Sequence, residues 1–351
     1  MVNGFDPQGM LGEIAKSESK TMKQRFLNQK LGKPNSRRAE LQKSKLMSRL
    51  RWAWTCLLLL IVPVYGQSDL NLKGAIDFRV HSSPDSEARS IDADDLARLA
   101  REKGMRGLVL TNHWESTAQL AYMVRKQVPG IEIFGGIALN SSVGGINLEA
   151  VKRMTMMKGG WGRVVWLPTS DAENDVKKAK GKGPFVPVSE SGHLLPAVLE
   201  LIDFVAQHHE MVLETGHISA EEASMVAHEA HQRGVKHIVL TNAMGEFVDM
   251  TIPQMQQAAR NGAYLEFTYM SVLGPHPQRS ISEYAEGIRK VGPKFCVLGT
   301  DFGGVGGGVP HSSHPEALLD FMEALHKEGI SEADINLMAK TNPALALGLE
   351  P

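Results

Sequence analysis

Five apolar runs in this chain end in groups that can bind a metal ion or carry a proton. They close with Asp77-Phe78-Arg79-Val80-His81, Asn112-His113, Thr215-Gly216-His217, Thr241-Asn242 and Gly299-Thr300-Asp301. Side chains alternate along a strand, so Asp77, Arg79 and His81 are expected on one face. Ile76, Phe78 and Val80 are expected on the other, packed against helices. An inward row of polar groups is costly unless its members are paired, ligated or wet. Any one of these endings could be an ordinary loop residue. Five of them in one chain ask for a common explanation.

Something must bring them together. After Asn71 the chain alternates short apolar runs with longer amphipathic stretches. The strand candidates are 75–81, 107–113, 132–139, 163–169, 211–217, 237–242, 263–270 and 295–301. Each is rich in β-branched or aromatic residues and bounded by Gly, Pro or Asn. Their near-continuous apolar character suits parallel strands covered on both faces. Helices are predicted over 92–103, 116–127, 196–208, 219–233, 252–261, 280–291 and 314–328. Ser116 is read as a cap, and Ser219 with Glu222 has capping-box spacing. Eight β–α units in this length predict an α/β fold, a (β/α)8 TIM barrel over residues 73–351. An open doubly wound sheet is the alternative. In a barrel the C-terminal ends of the strands carry the chemistry, which is where the five endings fall.

The motifs DFRVHSSPD (77–85), GLVLTNHWEST (107–117), GGINLEAV (144–151), RVVWLPTSDAEN (163–174), LETGHIS (213–219), GTDFGG (299–304) and NPALALGL (342–349) together resemble the amidohydrolase-type metal-dependent hydrolase superfamily. The likeness is to an uncharacterised branch of it. The front end is also similar to the PHP phosphoesterases, whose HxH strand is followed by a TDH strand. The resemblance implies a divalent metal, Zn, Mn or Fe. It implies His81, His113 and His217 as ligands and Asp301 as ligand and general base. The expected activity is hydrolysis of an amide, ester or lactone bond of a small molecule by metal-activated water. A phosphoester is the substrate that the PHP-like front end would imply.

Two residues depart from that pattern. Arg79 stands at the first histidine of HxH, and Asn242 at a strand-six histidine. Arg cannot ligate a metal. It is expected either to bind an anionic substrate group in a working one-metal enzyme, or to replace the metal in a catalytically silent binding barrel. Its guanidinium could pair with Asp301. Glu266 is a candidate metal or substrate contact, with pairing to Arg79 as the alternative. Asp77 is expected to orient a neighbour by hydrogen bond, and Asn112 and Asn242 to support the site or the substrate.

The remaining features narrow the class. Residues 1–51 hold twelve Lys and Arg against four Asp and Glu, and the rest of the chain carries nine net negative charges. The folded part therefore has no electrostatic footprint for nucleic acid. Trp52–Val64 is apolar but shorter than the roughly 20 residues a spanning helix needs. With Arg49 and Arg51 before it and Gly66 after it, residues 47–66 read as a signal peptide. Residues 1–46 read as a disordered basic extension or a gene-model artefact preceding a start at Met47. Secretion or a periplasmic location follows, with an uncleaved membrane anchor as the alternative and a homo-oligomer open. Cys296 is expected to be a core thiol without a partner. The Lys-rich segment 176–192 and glycine-rich 303–308 read as mobile loops, and His208, His209, His228, His231, His311 and His314 as surface residues. Asn342 with Pro343 reads as a helix cap.

Overall fold

The protein is described from a computed structural model, which covers residues 69–179, 181–274, 277–305 and 315–351. The basic extension, the apolar run with its signal-peptide reading, Lys180, His311 and His314 lie outside the described residues.

All eight predicted strands form, each trimmed at the ends. They are β1 (Ile76–Val80), β2 (Gly107–Leu110), β3 (Glu132–Ala138), β4 (Gly162–Trp166), β7 (Val212–Glu214), β8 (His237–Leu240), β9 (Tyr264–Thr268) and β10 (Cys296–Gly299). They run parallel in that order, so each pairs with the next. A two-strand antiparallel hairpin, β5 (Ser189–Glu190) and β6 (His193–Leu194), interrupts the segment after β4. The barrel closes between β1 and β10. There the His81 amide donates to Phe302 O at 2.7 Å and the Asp301 amide to Arg79 O at 2.9 Å.

Helices α1 (Ala93–Glu102), α2 (Ala118–Gln127), α3 (Leu148–Thr155), α4 (Glu173–Lys178), α5 (Pro196–Gln207), α6 (Ala220–Gln232), α7 (Ile252–Arg260), α8 (Ile281–Val291) and α9 (Glu316–Lys327) join the strands. Ser219 and Glu222 form the expected capping box, as do Thr251 with Gln254 and Ser280 with Glu283. The expected Ser116 cap is replaced: α2 begins after Thr117, whose hydroxyl donates to Leu110 O at 2.8 Å instead of capping. α10 (Glu332–Asn336) and α11 (Asn342–Ala346) end the chain. Asn342 is the first residue of α11 rather than its cap. Its amide donates to the Pro293 and Cys296 carbonyls at 2.9 and 2.7 Å. Among the described residues no helix is long and apolar enough to cross a membrane.

Two apolar clusters show which way each strand faces. The larger joins strand residues such as Val80, Leu108, Leu110, Leu240 and Leu298 to the helices. The smaller takes Ile76, Phe78, Val109, Phe134, Val164, Trp166, Val212, Val239 and Val297 from the strands and Ala344, Ala346 and Leu347 from the C-terminal end. Residues from so many strands meet only inside the barrel, so this cluster is its filling. Arg163, at the start of β4, donates to Leu347 O at 2.8 Å, which places the C-terminal plug at the end away from the strand tips.

The expected alternation along β1 fails here. Ile76 and Phe78 lie in the barrel filling and Val80 alone packs against helices. Asp77 pairs with Leu108 and Val80 with Leu110, so Phe78 and Arg79 together oppose the single residue Val109. That is a β-bulge, which re-aims side chains beside it. It lets Phe78 and Arg79 both enter the barrel interior and leaves Asp77 at the seam. Strict period-two reading of a sequence cannot see an inserted residue.

Candidate metal centre at the strand ends

Arg79 sits inside the barrel, 2% exposed, beneath the strand ends. Its Nε donates to Glu266 Oε1 at 3.0 Å and its Nη2 to Glu214 Oε2 at 2.9 Å. Both carboxylates are fully buried. Glu214 also accepts from the Thr241 hydroxyl at 3.0 Å, and Glu266 from the Asn242 amide at 3.0 Å. The guanidinium lies 6.0 Å from the Trp166 ring centre. Gly299 makes room, since a Cβ there would stand 3.1 Å from Arg79 Cβ. The expected Arg79–Asp301 pair is not made. Glu266 on β9 takes the guanidinium instead, and with Glu214 it occupies the cation that a substrate anion would have needed.

Above this layer stand the groups read from the strand ends. His81 Nε2 lies 3.1 Å from Asp301 Oδ1. The His81 and His113 ring centres are 5.1 Å apart, and those of His113 and His217 are 5.8 Å apart. His113 Nδ1 meets the Thr169 hydroxyl at 2.9 Å. Asn140 sets that hydroxyl with its amide at 2.7 Å, its own carbonyl being held by the Thr169 and Asp171 amides. His217 Nδ1 meets Asp175 Oδ2 at 2.8 Å, and its ring stacks on Phe247 at 5.0 Å. A carboxylate only accepts, so Nδ1 of His217 carries a proton and turns Nε2 away from Asp175. Gly303, at φ 117°, passes so close to His81 that a Cβ would fall 1.9 Å from its carbonyl oxygen. This pins the backbone on either side of Asp301.

Burial and charge set the protonation of these groups. Burial and the neighbouring His81 and His217 hold His113 well below the ordinary imidazole range, hence neutral at pH 7. For Asp301 burial acts to raise the carboxyl. The hydrogen bond and charge of His81, with Arg79 and His113, outweigh it and hold the group well below the usual range. Burial and then Glu266 push Glu214 up to about 8 against the pull of Arg79. Burial pushes Asp77 up to about 7 against two hydrogen bonds from Thr300.

The donor types fit one divalent ion. Three imidazoles come from three strands, two with Nδ1 held by an outer partner, the arrangement that orients metal-ligating histidines. Three imidazoles sharing a tetrahedral ion at ordinary Zn–N lengths have ring centres about 5 Å apart, near the two spacings seen. The third, His81, has a buried Nδ1 with no partner among the described residues. The set is open, however: among the described residues no three donor atoms drawn from it lie within 4.8 Å of one another. The acidic trio Asp92, Asp94 and Asp95 does meet that spacing. It lies at the surface around the start of α1, with Asp94 and Asp95 already paired to Arg98. Beneath the imidazoles the cation is already supplied by Arg79, paired with Glu214 Oε2 and Glu266, while Glu214 Oε1 is buried without a hydrogen-bond partner among the described residues.

A protein-family match covers residues 74–266 and is described as a family of unknown function, DUF6282. The chain belongs to the DUF6282 family. No curated protein matches it. Among solved structures, the DUF6282 barrel resembles an organophosphorus hydrolase from Deinococcus radiodurans, with a TM-score of 0.54 at 14% identity, over 78% of this chain and 92% of that one. It also resembles an organophosphate-hydrolysing protein engineered from a weak promiscuous lactonase template, with a TM-score of 0.54 at 14% identity, over 78% and 96% of the two chains. At such identity the likeness shows the fold, a (β/α)8 barrel.

The structure brings His81, His113, His217 and Asp301 to one end of the DUF6282 barrel and sets the other candidates around them. Asn242, at φ 42°, turns its side chain to Ser271 and Tyr284, at 3.0 and 3.3 Å, rather than to the histidines. Asn112 donates to the Ser82 and Pro84 carbonyls at 3.3 and 3.2 Å, shaping the loop after β1. Asp77 accepts from the Thr300 amide and hydroxyl at 2.9 and 2.7 Å, tying β1 to β10 just before Asp301. Sequence reasoning missed Glu214, Thr169, Asn140 and Asp175. Glu214 was within reach, being an acidic residue inside an apolar strand. Asp175 lies on α4 and carries no local signal.

Asp77 and Glu214 give a pH signature. A carboxyl whose pKa is higher folded than unfolded stabilises fully below the unfolded value and loses that effect as pH rises through the folded value. The melting temperature of the metal-free protein is therefore expected to fall between about pH 6.5 and 8, and Asp77→Asn to flatten that fall. His113, held low, acts the other way below about pH 6.5, and Asp301 does so below about pH 4, where acid protonates it. Melting curves in chelator across this window check the sign. A melting temperature that climbs toward pH 8 would show that these carboxyls are not raised.

Proposed function

We propose that this barrel is a hydrolase that holds one divalent ion among His81, His113, His217 and Asp301 and cleaves an ester or lactone bond of a small molecule. The observation that carries the reading is the pairing of oriented and free ring nitrogens. His217 is fixed through Asp175 and His113 through Thr169, each with its Nε2 left over, beside a carboxylate kept ionised. When bound, the ion would supply polarisation of the scissile carbonyl and a water acidic near neutral pH. Asp301 is placed to accept the water's proton at its carboxylate, which is a quarter exposed and so reachable from the barrel mouth. His81 orients that carboxylate. Arg79, Glu214 and Glu266 act from below: the Arg79 charge helps keep Asp301 ionised, and Glu266 holds the backbone amide of Asn242.

The ester and lactone class draws on what the two similar folds are described as doing, namely organophosphate hydrolysis in both and lactone hydrolysis in the parent of one. The openness of the donor set favours a second reading, a silent barrel that binds a small molecule without metal. The test is a panel of an aryl ester, a lactone, an aryl phosphotriester and an aryl phosphomonoester, offered to the Zn- or Mn-loaded full chain. Turnover of the ester or lactone, abolished by chelator, is expected. Turnover of the phosphomonoester alone would move the assignment to the PHP-like alternative. No turnover of any member by metal-loaded protein would leave the silent barrel.

A further inference from the structure

Beside the histidines, a groove of about 700 Å³ opens between the loop after β1 and the start of α2, lined by Pro84, Asp85, Asn112, Glu115, Leu120 and Met123 among others. That volume lies within the ordinary range for small-molecule sites. Asn112, 2% exposed, forms part of its inner end. Because its Nδ2 donates to two backbone carbonyls, Ser82 O and Pro84 O, the amide cannot be turned over. Its Oδ1 is therefore the atom left buried with no donor. A buried acceptor without a donor costs about 1–3 kcal/mol, which a ligand or water supplying one removes.

The walls name the ligand's chemistry. Among the described residues no Lys or Arg lines the groove. Asp85 is already neutralised by Arg89 at 2.5 Å. Glu115 is exposed and makes no ion pair among the described residues. Opposite these stand Pro84, half-buried Leu120 and Met123, the last 49% exposed. An acceptor within, an unpaired carboxylate at the rim and an apolar wall match an amphipathic molecule that donates hydrogen bonds. They reject an anion. We propose that this groove is a binding site for small neutral or cationic amphipathic molecules, amines and primary amides, with the N–H donated to Asn112 Oδ1 and the apolar body against Leu120 and Met123. The site stands independently of the hydrolase reading, since it is read by binding alone.

The test uses the full chain and three matched probes, hexylammonium, hexanamide and hexanoate, with affinities from ligand-observed NMR. Hexylammonium and hexanamide are expected to bind with millimolar affinity, in keeping with their few heavy atoms, and hexanoate at least about threefold more weakly. Glu115→Lys, a change at an exposed side chain, should lower hexylammonium affinity and raise that of hexanoate. Met123→Trp should fill the groove and weaken hexylammonium and hexanamide together. Failure of hexylammonium and hexanamide to bind, hexanoate binding as tightly as hexylammonium, or affinities unmoved by Met123→Trp would each overturn the proposal. Melting curves of both variants, expected to match the parent, separate loss of the site from loss of fold.

Discussion

Arg79→Met is expected to destabilise the barrel by about 3–5 kcal/mol, the usual consequence of removing one partner from a buried ion pair. The size follows from what is left behind. Glu214 and Glu266 are both fully buried and both lean on the guanidinium. Without it two carboxyls face each other in the barrel interior with no cation between them, and any negative charge there must be met by a proton or water. For a domain of this size the change corresponds to a melting-temperature drop of about 5–15 °C. Arg79→Met combined with Glu214→Gln and Glu266→Gln should recover most of the loss, because the stranded charges are gone. Arg79→Lys should recover little, since an ammonium is a point charge and cannot fork to two carboxylates. Arg79→His, which would restore the HxH spacing, is also expected to destabilise the metal-free protein. A melting temperature for Arg79→Met within a degree or so of the parent would mean that the cluster does not hold the interior together.

Asp301→Asn is expected to lower kcat by about 10²–10⁴, the range for loss of a positioned general base, on whichever panel member is turned over. Its carboxylate is held well below the usual range and sits 3.1 Å from His81 Nε2. The amide has nearly the same shape but cannot take a proton from water. KM should change far less than kcat, since the side chain acts on the water rather than on the substrate body. A fall in KM-dependent binding with kcat intact would place Asp301 in substrate recognition instead.

The barrel was legible because parallel strands leave a strong signature. Each run is apolar throughout, and turn residues separate it from an amphipathic partner, as in β8 followed by α7. The four strand-end groups were legible for the same reason, since a polar residue closing an apolar run stands out. What the sequence concealed was one inserted residue and its consequences. The bulge in β1 turns Phe78 and Arg79 both inward, so the expected facing of Ile76, Phe78 and Asp77 does not hold. It also aims Arg79 at β7 and β9 rather than at Asp301, and only tertiary geometry could choose among three acidic partners. Asn242, read as supporting the site or the substrate, turns away from the histidines for a backbone reason: its positive φ and its bonds to Ser271 and Tyr284 commit the side chain elsewhere. The outer partners of the histidines, Thr169 and Asp175, come from the segment after β4, and no spacing rule ties that segment to His113 or His217.

One ion above an internal guanidinium is a stoichiometry that elemental analysis reads. The full chain is loaded with Zn or Mn, freed of unbound metal and assayed by elemental analysis. About one equivalent is expected, falling sharply in His113→Ala and His217→Ala and unchanged when Asp92, Asp94 and Asp95 are all replaced by Asn. Less than about 0.2 equivalents in the parent, about two equivalents, or one equivalent indifferent to His113 and His217 would contradict it.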